Sequence, residues 1–141
     1  MSESRQPDRL APIEVRDRAD ALRAAAMFRT LAASVTIRGI PLDLASTAVI
    51  EIAQNMVTHA GGGTIELSVV TDDAGRTGVR VHAEDHGPGI EDLDSALQEG
   101  FSSSGGLGLG LPGVYRLMDE VEIVSKATTG TVVTMVKWAP A

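Results

Sequence analysis

Two polar side chains one helical turn apart offer the first chemistry in this chain. Glu51 and Asn55 are four residues apart in a stretch of helical periodicity, so they stack on one face beside an apolar stripe. A carboxylate there can orient or deprotonate an attacking hydroxyl. An amide oxygen can take one position on Mg2+, which prefers oxygen ligands and keeps several waters. His59 continues the line by one more turn. On spacing alone, a solvated helix face is the simpler explanation of the pair. Asp85 is more telling. It ends an alternating run in which Val79, Val81 and Ala83 share a face, so its carboxylate points with them toward a helix layer. An inward carboxylate needs a partner, and the exocyclic amine of adenine is a suitable donor. The other reading is a turn aspartate bonding its own backbone ahead of Gly87. Gly130-Thr131, taken alone, indicates only a turn and a strand.

The third source of chemistry is a glycine cluster. Gly87, Gly89, Gly100, Gly105, Gly106, Gly108, Gly110 and Gly113 are eight of the chain's 15 glycines. No lysine or arginine lies between Arg80 and Arg116, whereas Glu84, Asp85, Glu91, Asp92, Asp94 and Glu99 do. A phosphate-binding loop of the Gly-Lys-Ser/Thr kind is therefore excluded. Gly108, Gly110 and Gly113 match the dinucleotide spacing, but that fingerprint should follow a strand directly, and a Ser/Gly loop precedes it here. The His-Arg-Asp and Asp-Phe-Gly motifs of eukaryotic-type kinases do not occur. Glycines without bases can still hold an anion through converging backbone N–H groups and the start of a helix near residues 111–113. Such a loop could also close over a ligand and reopen.

The elements that must position these groups follow from the pattern. Ile13 and Val15 suggest a short first strand. Leu22, Ala25, Ala26, Phe28, Leu31 and Ala32 recur at helical spacing up to about residue 33. Gly39 and Pro41 mark a turn. A second helix is expected over residues 42–59, with Leu44, Ala48, Val49, Ile52, Ala53, Met56 and Val57 buried, ended by three consecutive glycines. Strands are expected over 64–71 and 78–85, a short helix near 93–98, a helix from about Pro112 to Met118, and a closing strand pair over 121–126 and 131–138. Hairpins with helices on one side give an α+β fold, a two-layer α/β sandwich whose mostly antiparallel mixed sheet is covered on one face. Residues 1–11 read as a flexible tail and 12–141 as a single domain.

Composition narrows the class. The 141 residues suit one packed core, and the absence of cysteine excludes disulfide scaffolds and Cys-ligated metals. It also fits a reducing cytoplasm. A net charge of −7 argues against a sequence-independent nucleic-acid partner. No apolar run is long enough to cross a bilayer, so no membrane partner is expected.

Four segments in order carry a resemblance: Glu51-Ile52-Ala53-Gln54-Asn55, Asp85-His86-Gly87-Pro88-Gly89, Gly106-Leu107-Gly108-Leu109-Gly110-Leu111, and Gly130-Thr131. They resemble the N box and the three glycine boxes of the GHKL ATPase superfamily, whose ATP-binding domain is the Bergerat fold. At 141 residues, a stand-alone domain is expected, without the further domains of gyrase, chaperones or MutL and without a histidine kinase's dimerising hairpin. That expectation leads to the anti-sigma serine/threonine kinases of bacterial partner switching. Within those, Ala83–Ile90 and the run from Gly100 to Glu120, with its Pro-Gly-Val-x-Arg-Leu-Met-Asp-Glu end, are similar to the RsbT-like switch kinases of stressosome pathways rather than to the RsbW and SpoIIAB group.

The resemblance implies roles for particular residues. Glu51 would be the catalytic base or hydroxyl-orienting group, and Asn55 would hold Mg2+ against the triphosphate of ATP. Asp85 would accept from the adenine amine, with Gly87 in the same box and Gly89 allowing close approach of the base. Leu107, Gly108, Leu109, Gly110 and Leu111 would bring amides to the phosphates, Ser102, Ser103, Ser104, Gly105 and Gly106 would form a mobile lid, and Thr131 would sit near the adenine. The implied partners are a STAS-domain antagonist as substrate and a PP2C-type phosphatase activated on release. The alternatives are an anti-sigma factor that sequesters a sigma factor, and a nucleotide-gated binding module without turnover.

Overall fold

The computed structural model describes residues 10–85, 87, 110–126 and 130–140. Strand β1 (Ile13–Val15) leads into helices α1 (Arg18–Ser34) and α2 (Gly39–Ala60), then strands β2 (Gly63–Thr71) and β3 (Thr77–Asp85). Helix α3 (Gly110–Leu117) and strands β4 (Glu120–Lys126) and β5 (Gly130–Trp138) follow. The sheet order is β1-β2-β3-β5-β4, and all four pairings are antiparallel. This is the expected two-layer α+β sandwich.

Registers decide which side chains meet the helices. Val79, Val81 and Ala83 of β3 stand opposite Lys137, Met135 and Val133 of β5, and Ile65 and Leu67 of β2 lie opposite Ala83 and Val81. All of these except Lys137 form one buried core with Phe28, Val49, Ile52, Met56 and Val114. The paucity of aromatics makes Phe28, fully buried, its largest enclosed side chain. Burying such a ring contributes about 1.5–3 kcal/mol.

Helix α1 begins where Asp17 Oδ1 accepts the N–H of Asp20 at 2.9 Å, an N-cap interaction. Asp20 reaches back to accept from the backbone N–H of Arg16 at 2.9 Å and also meets the Arg16 and Arg23 guanidiniums. These bonds, led by the Arg16 N–H, hold its carboxyl below the usual range. Helix α2 ends at Gly61, which takes the left-handed conformation at φ 77.

Some sequence expectations are corrected. Leu22 and Leu44, expected in the buried stripes, are 46% and 43% exposed, and Ala26 is exposed too. Ala21, Ala24 and Ala45 take the core positions instead, because small residues allow α1 and α2 to approach closely. Gly39 and Pro41 do not form a separate turn: α2 starts at Gly39, so Pro41 lies in its first turn, where a missing N–H loses no intrahelical bond. Leu10, inside the expected tail, donates its N–H to the carbonyl of Leu67 at 3.2 Å. The helix expected near 93–98 and tail residues 1–9 lie outside the described residues.

Candidate functional site

The site is built where the end of α2 meets the end of β3. Glu51 is fully buried, flanked on α2 by the core residues Val49, Ile52 and Ala53. This rules out the solvated-face reading of the pair. A carboxylate is costly at such a position, and a helix that had only to pack would carry an apolar residue there. One turn on, Asn55 Nδ2 is shielded from solvent and lacks a hydrogen-bond partner among the described residues. His59 Nε2, a further turn along, is shielded as well.

Asp85 is the turn aspartate of one of the two readings that its sequence left open. Its Oδ1 accepts the N–H of Gly87 at 3.0 Å, as a turn aspartate does. The same oxygen accepts the N–H of Thr131, at the start of β5, at 3.2 Å. Two donors on Oδ1 leave Oδ2 as the acceptor for a third group. The packing around this carboxylate is tight enough to require glycine. A Cβ on Gly87 would lie 2.3 Å from the Ala60 Cβ, and a Cβ on Gly130 would lie 2.2 Å from the Asp85 carbonyl oxygen. Gly130 also has φ 99, a conformation that side chains with a Cβ rarely adopt. The Asp85–Gly87 turn thus rests on the last residue of the helix that carries Glu51, Asn55 and His59.

Thr131 stands opposite Ser125 in the β4–β5 register, and their hydroxyls are 2.8 Å apart. Ser125 was not among the residues singled out from sequence. The signal was available in the register of the closing strand pair, which sets these two hydroxyl residues opposite each other, but hydroxyls on a strand carry no motif of their own. Gly110 and Leu111 open α3, which packs against α2 and β4 through buried Val114. Gly89, Ser102, Ser103, Ser104, Gly105, Gly106, Leu107, Gly108 and Leu109 lie outside the described residues.

The polar groups present suit a metal-bound adenine nucleotide. Among the described residues, they combine an Asp85 carboxylate whose Oδ2 receives no N–H, an Asn55 amide whose Nδ2 is shielded and without a partner, and a buried carboxylate at Glu51. Among the described residues, no group of three or more His, Asp or Glu side chains converges as a metal cluster. A divalent ion here would therefore draw on Asn55 and on oxygens supplied by its ligand. No helix of the described residues is long and apolar enough to cross a membrane.

Residues 13–137 match the family described as the histidine kinase-like ATPase domain. The chain is similar to the serine/threonine-protein kinase RsbT of Bacillus subtilis, 41% identical over 119 residues that cover 84% of this chain and 89% of that protein. It is also similar to the anti-sigma F factor of Anoxybacillus flavithermus, 35% identical over 98 residues, 64% of this chain and 65% of that one. In structure it resembles the mycobacterial sensor histidine kinase MprB, with TM-score 0.52 and 17% identity over 93% of this chain and 99% of that chain. That likeness shows the fold alone.

Proposed function

This chain belongs to the histidine kinase-like ATPase domain family and, within it, to the RsbT-like serine/threonine-protein kinases, and from that premise we propose that it transfers the γ-phosphate of ATP to a serine or threonine of a STAS-domain antagonist protein. Once released from the antagonist, it activates a PP2C-type phosphatase in the cytoplasm. Residues 12–141 act as a single kinase domain. The observation that carries this reading is the fully buried Glu51 one helical turn before Asn55, on the helix against which the Asp85 turn is packed.

The residues divide the work. Asp85 Oδ2 accepts from the adenine amine, and Gly87 and Gly89 keep that end of the site open to a flat base. Asn55 would hold Mg2+, which when bound would neutralise the triphosphate charge. The backbone amides from Leu107 to Leu111 would serve the phosphates, and the segment from Ser102 to Gly106 would be the lid. Glu51 accepts the proton of the substrate hydroxyl as its oxygen bonds to the γ-phosphorus. The bond from that phosphorus to the β–γ bridging oxygen breaks, and ADP leaves. Phosphoryl transfer asks mainly for positioning and charge neutralisation, which is why a chain with no lysine or arginine between Arg80 and Arg116 can carry it out.

The test is direct. Purified protein is incubated with Mg-ATP and candidate STAS proteins, and phosphate incorporation is measured by mass spectrometry. Tight ATP binding without phosphate on any of them rejects the kinase reading and favours a nucleotide-gated binding module. The relatives named anti-sigma F factor favour a second reading, in which the chain sequesters a sigma factor and phosphorylates an anti-anti-sigma protein. Parallel pull-downs with sigma factors and with a PP2C phosphatase separate the two.

A further inference from the structure

We propose that Ser125 is a positioning residue for nucleobase selectivity, acting through Thr131. The proposal rests on the reading of the Asp85 end as the adenine site. Ser125 belongs to edge strand β4 and stands directly opposite Thr131 on the helix-facing side of the sheet. Their hydroxyls are 2.8 Å apart, so one donates to the other. The Thr131 backbone is fixed by its N–H bond to Asp85 Oδ1 and by Gly130, which no residue with a Cβ could replace without meeting Asp85. The remaining freedom of Thr131 lies in its side chain, which among the described residues meets the Ser125 hydroxyl.

Donor and acceptor logic then gives the consequence. A hydroxyl has one proton and two lone pairs. Adenine shows an amine donor beside a ring-nitrogen acceptor, whereas guanine shows a carbonyl acceptor beside a ring N–H donor. Asp85 Oδ2 can only accept, so it reads the amine. Either hydroxyl can be the donor of this pair; in the polarity proposed here Ser125 donates to Thr131 Oγ1, which leaves the Thr131 proton to face the base as a donor, complementing adenine and opposing guanine. Without the Ser125 hydroxyl, Thr131 can rotate to offer a proton or a lone pair alike, and that part of the discrimination is lost.

The experiment measures binding of Mg-ATP and Mg-GTP by titration calorimetry to the wild-type chain and to S125A, S125T and D85N, with melting temperatures for each variant. The expected result is that S125A weakens ATP about three- to tenfold, the scale of one hydrogen bond. GTP changes less, so the ATP/GTP preference narrows, and S125T, which keeps the hydroxyl, restores it. D85N loses ATP binding. If D85N loses binding while S125A keeps wild-type preference, the role of Ser125 is overturned and the nucleotide site stands. Equal weakening of both nucleotides together with a lower melting temperature also overturns it, because a purely structural defect does not move the ratio. Wild-type ATP binding by D85N overturns the adenine-site reading itself.

Discussion

Asp85 and Thr131, 46 residues apart in sequence, are joined by a 3.2 Å hydrogen bond from the Thr131 N–H to Asp85 Oδ1. Because Gly87 donates to the same oxygen, the bond fixes which carboxylate oxygen remains for a ligand. It also ties the end of β3 to the start of β5, closing one wall of the proposed nucleotide site.

Substitution of Glu51 separates catalysis from binding. E51Q, close in shape, is expected to lower phosphate transfer by about 100-fold or more, the scale of a general base, while ATP affinity stays within a few-fold of wild type. Single-turnover transfer and calorimetric binding are read on the same preparation. Unchanged transfer in E51Q excludes Glu51 as the base.

Asn55 is expected to account for the metal dependence. Adding EDTA should weaken ATP binding to the wild-type protein by about tenfold or more, since the triphosphate charge is then opposed by backbone dipoles alone. N55A should bind ATP weakly with or without Mg2+. A large Mg2+ effect that survives in N55A would assign the metal to another ligand.

Gly130 should tolerate no side chain. G130A places a Cβ 2.2 Å from the Asp85 carbonyl oxygen at a residue with φ 99. The backbone conformation alone costs on the order of 1–3 kcal/mol, visible as a lower melting temperature and a lower urea midpoint. The displaced Asp85 should also lose nucleotide affinity. A variant as stable as wild type with full affinity contradicts the close approach.

Acid stability should report on Asp20. Its carboxyl is held below the usual range chiefly by the Arg16 backbone N–H. A depressed folded-state pKa means that the folded state favours the charged form. The resulting stability is fully present above the unfolded value of about 4 and disappears as pH falls through the folded value. Urea unfolding from pH 6 to pH 2.5 should show wild type losing more stability than D20N, which starts lower at pH 6. Parallel curves for the two proteins count against this assignment.

The layers of the fold were legible because period 2 and period 3.6 are written in the order of apolar residues. Ile65, Leu67, Val79, Val81 and Ala83 face the core as alternation requires, and Gly61 ends α2. The errors fall where periodicity is degenerate. In an alanine-rich helix such as α1, several faces are equally apolar, so the sequence cannot choose between the Ala21–Ala24–Ala25 face and one through Leu22 and Ala26. The neighbour decides, and α2 packs closest where side chains are smallest.

The chemistry divides in the same way. The order of the segments around Glu51 and Asn55, Asp85, the glycine boxes and Thr131 carried the resemblance that groups them, and the absence of lysine from the glycine stretch excluded a Gly-Lys-Ser/Thr phosphate loop. Each of those is a local property of the chain, or an order along it. Tertiary structure decided that Glu51 is buried rather than solvated, that Asp85 holds the N–H groups of both Gly87 and Thr131, and that Ser125 meets Thr131. Burial and hydroxyl contacts depend on which surfaces are brought against one another. That choice is made by strand register and helix packing across distances that no local pattern spans.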